Sequence, residues 1–70
     1  MDLRAVVGRN VRRLRVERSL PQDALAHDAG IHVTYLSGLE NGRRNPTVLV
    51  VERLAQALGV QETELVRRDR

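Results

Sequence analysis

The residues that interrupt this sequence constrain it more than those that fill it. Pro21, Gly30, the pair Asn41-Gly42, Pro46 and Gly59 divide the chain beyond its first segment into pieces only a few turns of helix long. Proline disfavours helical angles in the residue before it, and glycine ends helices in the left-handed region at little steric cost. Between these breaks, apolar residues recur every three or four positions, the period of a helix with one buried face. No stretch alternates apolar and polar residues as a half-buried strand would. A chain punctuated this way folds into short helices packed on one another.

Taken in order, the segments give five helices. Asp2 is placed to cap the first, in which Leu3, Val7, Val11 and Leu14 form the apolar stripe and Arg4, Arg9, Arg12, Arg13, Arg15 and Arg18 occupy the other faces. It runs from about residue 3 to about residue 18. Pro21 opens the second in its first turn, with Gln22 and Asp23 near the start and Leu25, Ala26 and Ala29 inward. Ile31, Tyr35, Leu36 and Leu39 restart the stripe in a third helix, from about His32 to about Glu40. Thr47 caps a fourth, with Val48, Val51, Leu54, Ala55 and Leu58 facing inward and Leu49 and Val50 off that stripe. Val60 and Leu65 anchor a short fifth helix, about 61–67. The expectation is one compact all-α domain over residues 1–70.

Seventy residues lie near the lower limit at which a single apolar core suffices. With no cysteine, neither a disulfide nor a thiolate metal site can staple the fold. His27 and His32 have no partner at metal-ligand spacing, so no metal or other cofactor is expected. Stability must then come from well-packed helices or from dimerisation. No apolar run approaches a membrane span and no signal-peptide core opens the chain, which suits a cytoplasmic protein.

The net charge is +3, and all 12 cations are arginine. Arginine suits phosphate, which it binds bidentately, although a GC-rich codon bias would equally favour it over lysine. The distribution says more. Residues 1–20 hold six arginines and two acids, residues 21–42 three acids and no arginine, and residues 43–53 three arginines and one acid. Basic charge brackets the central helices and is absent from them.

The central stretch carries a resemblance. Gln22, Leu25-Ala26, Ala29-Gly30-Ile31, Tyr35-Leu36-Ser37, Leu39-Glu40-Asn41-Gly42, Arg43-Arg44-Asn45-Pro46 and Leu54-Ala55 with Leu58-Gly59-Val60 are similar, in type and spacing, to the lambda-repressor-like, Cro-type helix-turn-helix family. The match covers residues 11–65, with the helix-turn-helix itself at 22–41. The resemblance implies a five-helix, usually dimeric domain that binds double-stranded DNA and regulates transcription, its third helix in the major groove and its second across the backbone. By family position His32, Val33, Thr34, Ser37 and Gly38 would face the bases. Gln22, Asn41, Arg43, Arg44 and Asn45 would meet phosphates, and Asn10 on the first helix is a further phosphate candidate. Arg15 and Glu40 match a recurrent family ion pair. A chain this short resembles a restriction–modification controller, a small phage repressor or Cro-like protein, or an antitoxin regulator, and equally the DNA-binding end of a longer repressor.

The proposed reading face departs from expectation in one respect. The strongest base readers are arginine on guanine and asparagine or glutamine on adenine, and this face has none of them. Val33 and the Thr34 methyl can meet thymine methyl groups, leaving the remainder to DNA shape or to the longer reach of Arg43. Enzymatic chemistry finds no support, because no nucleophile–base set and no phosphate-cradling glycine loop occurs. No small-molecule ligand is evident. The rival is an interaction module that keeps the fold without binding DNA. Leu49, Val50 and Val66, which the inward stripes do not use, are the candidate dimer contacts.

Overall fold

The computed structural model describes residues 1–68 and contains five helices: α1 (Leu3–Glu17), α2 (Gln22–Ala29), α3 (Val33–Glu40), α4 (Val48–Leu58) and α5 (Glu62–Val66). The breaks act where the sequence places them. The Asp2 carboxylate accepts from the Ala5 N–H at 3.2 Å and the Thr47 hydroxyl from the Val50 N–H at 3.1 Å, each satisfying a donor that the first turn leaves without a partner. Gly30 ends α2 at φ 70°, and the Ile31 N–H reaches back to the Ala26 carbonyl at 3.0 Å. A side chain would be strained in that left-handed conformation, so glycine is what makes the turn between α2 and α3 short. Pro21 sits one place earlier than expected, at the N-cap of α2, because its extended ψ of 156° keeps it outside the helix.

The core gathers one stripe from every helix: Val7, Val11 and Leu14 from α1, Leu25, Ala26 and Ala29 from α2, Leu36 and Leu39 from α3, Leu54, Ala55 and Leu58 from α4, and Leu65 from α5. Helix α1 packs on α3 and α5, and α2 packs on α3 and α4. Two assignments at helix starts need correction. Leu3 and Val48 were expected inside, yet they are 49% and 87% exposed. Each lies in the first turn of its helix, ahead of the point where a packing partner begins. Val6 is buried instead of Leu3, and Val50, assigned to the free surface, packs against the core.

Helices α1 and α3 approach more closely than side chains normally allow. A methyl group at Gly8 would collide with the Leu39 carbonyl oxygen and touch the Glu40 carbonyl carbon at 3.1 Å. Helix α3 is thus held against α1 backbone to backbone.

Candidate nucleic-acid interface

The buried side of α3 dictates what its other side presents. Leu36 and Leu39 are 0% and 1% exposed, which rolls His32, Val33 and Thr34 outward, with Ser37 and Gly38 half-covered beside them. The five expected base-facing residues therefore share one accessible face. His32 is the N-cap but makes no side-chain capping bond, so its imidazole is not committed to the helix start.

The following loop wraps back onto that face. The Tyr35 hydroxyl donates to the Asn45 carbonyl at 3.3 Å, and the Arg43 N–H donates to the Gly38 carbonyl at 2.9 Å. Arg44 lies along α3 with its guanidinium carbon 5.9 Å from the centre of the Tyr35 ring, a cation–π distance. Its Cγ would be 2.9 Å from a Cβ at Gly38. The missing side chain at Gly38 is thus the space that Arg44 fills. This pairing is not visible in the sequence, where family position sets Gly38 toward the bases and Arg44 toward a phosphate. Arg43 and Asn45 are exposed, and the Asn41 amide donates to the Ser37 carbonyl at 2.9 Å.

Beneath the face lies a charged network. Arg15 Nε and Nη2 donate to the two Glu40 carboxylate oxygens at 2.7 and 3.0 Å, and Nη1 donates to the Leu20 carbonyl at 2.8 Å. Gln22 Nε2 adds a third bond to Glu40 at 3.0 Å. The Glu40 side chain is 2% exposed and that of Arg15 13%. Hydrogen bonding to Glu40 holds the Arg15 guanidinium above its ordinary pKa, so this cation stays charged despite burial. The expected ion pair is present, and it joins α1, the start of α2 and the end of α3 at one point. Gln22 is consequently half-committed: one amide hydrogen serves Glu40, and the other is left for an outside partner.

Asn10 does not belong to the interface. It is 3% exposed, and its amide donates to the Leu65 and Arg67 carbonyls at 3.0 and 2.8 Å, terminating α5 against α1. Family position offers it as a phosphate contact, whereas it satisfies carbonyls that α5 leaves open. Among the described residues, no cluster of three His, Cys, Asp or Glu could hold a metal ion, and no helix is long and apolar enough to cross a membrane.

Two short helices joined at a left-handed glycine, the second buried along one side and open along the other, define a helix-turn-helix domain. The helix-turn-helix family model matches residues 11–65, and the chain belongs to that family, whose members are transcriptional regulators and not enzymes. It is similar to an uncharacterized HTH-type transcriptional regulator, y4dJ, of Sinorhizobium fredii, with 53% identity over 94% of this chain and 86% of the relative. It is also similar to the control protein C.BamHI of Bacillus amyloliquefaciens, with 36% identity over 93% of this chain and 82% of that protein. Among solved structures, the restriction-modification controller protein C.AhdI from Aeromonas hydrophila superposes with a TM-score of 0.86 at 34% identity, covering 89% of this chain and 94% of the other.

Proposed function

We propose that this transcriptional regulator binds double-stranded DNA as a homodimer, with α3 of each subunit in the major groove of a palindromic operator. One observation carries the reading: the only open side of α3 is continuous with a loop that sets Arg43 and Arg44 beside it. His32, Val33, Thr34 and Ser37 would meet base edges, the apolar groups among them favouring thymine methyls. Arg43, Asn41 and Asn45 would hold the backbone, together with the second amide hydrogen of Gln22 at the positive end of α2. Arg44, laid over Gly38, supplies the long hydrogen-bonding side chain that α3 itself lacks, and it reads a base edge.

The dimer reading rests on a groove of about 570 Å³ between the starts of α1 and α4 and the end of α5. Leu3, Val48, Leu49 and Val66 line it and are between 40% and 87% exposed. An apolar surface of this kind on so small a domain favours a second copy. Val50, packed against the core, is not part of it.

Selection of bound duplexes from a random pool tests the whole reading. The expected yield is an inverted repeat whose half-sites lie about one helical turn, roughly 34 Å, apart. Enrichment of a single half-site would leave DNA binding standing and remove the dimer. Failure to retain any duplex at low salt would favour the interaction-module alternative.

A further inference from the structure

The reading above assigns roles to the cations of the loop after α3 and none to Arg12 and its neighbours on the exposed side of α1. Arg9, Arg12 and Arg13 all project from the exposed side of α1, with Val16 57% exposed at the end of the row. These four residues and Glu40 border one open depression of about 440 Å³. Glu40 contributes no countercharge there, because its carboxylate is turned to Arg15 and Gln22. Glu17 neutralises part of Arg13, at 3.4 Å, but among the described residues no carboxylate pairs with Arg12.

The position of this ridge is fixed by the α1–α3 crossing. Gly8, one turn before Arg12, abuts the Leu39 and Glu40 backbone, and Ala5, one turn before Arg9, lies 3.6 Å from where a Cβ on Gly42 would be. Gly42 leads directly into Arg43. Arg12 therefore stands one turn beyond the Gly8 contact, on the flank of α1 that faces α3, and Arg9 one turn beyond the contact between Ala5 and Gly42. Asn10 and α5 lie on the opposite flank.

We propose that this ridge, centred on Arg12, is an additional phosphate-binding strip, which takes the sugar–phosphate backbone of duplex DNA where it continues past the segment gripped by the Arg43–Asn45 loop. The proposal rests on the DNA-binding reading and extends its footprint. Charge complementarity selects the occupant: a polyanion suits an exposed Arg12 that no carboxylate of the described residues neutralises, with further arginines bordering the same depression, and arginine forks suit phosphate oxygens. The contact would be blind to sequence, since it reaches no base edge.

The test is a salt titration of binding to a mixed-sequence duplex of about 30 base pairs, three helical turns, comparing the unmodified chain with Arg12→Ala, Arg43→Ala and Arg67→Ala. Arg67→Ala removes the same charge just past the end of α5, across α1 from the ridge, and controls for net charge. Circular dichroism melts confirm that each variant is folded. Loss of the Arg12 contact should reduce the slope of log K against log salt by about 0.9, as Arg43→Ala does, while Arg67→Ala leaves it unchanged. An unchanged slope for Arg12→Ala beside a reduced one for Arg43→Ala overturns the ridge and leaves the DNA-binding reading intact. Equal losses for Arg12→Ala and Arg67→Ala would also overturn it, reducing the effect to net charge. If the unmodified chain itself fails to bind the duplex, the underlying reading falls and takes the ridge with it.

Discussion

Removing Glu40 tests the physical centre of the domain. Its carboxylate accepts from Arg15 Nε, Arg15 Nη2 and Gln22 Nε2, all between 2.7 and 3.0 Å. In Glu40→Ala, Arg15 keeps only its bond to the Leu20 carbonyl, and a guanidinium that is 13% exposed loses its counterion. Breaking a buried pair from one side costs about 3–5 kcal/mol, because the surviving charge stays desolvated. A domain of this length has a total stability of about 3–10 kcal/mol, so the variant should lose a large share of it and unfold at markedly lower urea. Arg15→Ala should cost less, near the lower end of that range, because Gln22 still donates to the stranded carboxylate. The double variant leaves no unpaired charge, and it should be more stable than the sum of the single losses predicts by more than about 1 kcal/mol. Urea unfolding followed by circular dichroism measures all four corners of the cycle. Additivity within about 0.5 kcal/mol would refute the reasoning, since independent residues behave that way.

Three further outcomes follow from the same geometry. Asn10→Ala strands the Leu65 and Arg67 carbonyls and should cost about 1–3 kcal/mol in urea melts while leaving the salt dependence of DNA binding untouched; a changed salt slope would restore Asn10 to the interface. Gly38→Ala drives a methyl into the stem of Arg44, which is flexible enough to swing away, so stability should change by under about 0.5 kcal/mol while affinity for a selected site falls; unchanged affinity would remove Arg44 from the reading face. The Asp2 carboxyl is held below its ordinary value of 3.8 first by the Arg4 guanidinium and then by the Ala5 N–H. A depressed carboxylate contributes stability that is complete above its unfolded value and lost as pH falls through the folded one, so the melting-temperature gap between the native chain and Asp2→Asn should narrow progressively in acid; a gap that widens as the pH is lowered below 3.8 contradicts this.

The helix count and most boundaries were legible because Pro21, Gly30, Gly42 and Gly59 act locally: each break depends on the residue's own backbone. Burial was legible in the middle of each stripe and not at its ends. Leu3 and Val48 keep the helical period but lie beyond the reach of a partner helix, which periodicity cannot register. Asn10 was misplaced because family position was followed over its own register; it follows Val6 by one turn on the side where α5 packs, and its place among buried residues was the available signal. The Arg15–Glu40 pair came from the family resemblance, since 25 residues separate its members. The overlay of Arg44 on Gly38 depends on how the loop folds back, and no spacing rule discloses it.

The Gly8 crossing divides the labour within α3. Because that helix is positioned through its own backbone and through Leu36, Leu39 and Glu40, the exposed side chains at 33 and 34 and the half-covered one at 37 contribute little to holding it. They can be exchanged without re-aiming the helix, as type can be changed in a press whose frame is fixed. A library randomised at those three positions alone should therefore yield folded variants at high frequency, each tuned to a different duplex, with thermal stability nearly constant across the set.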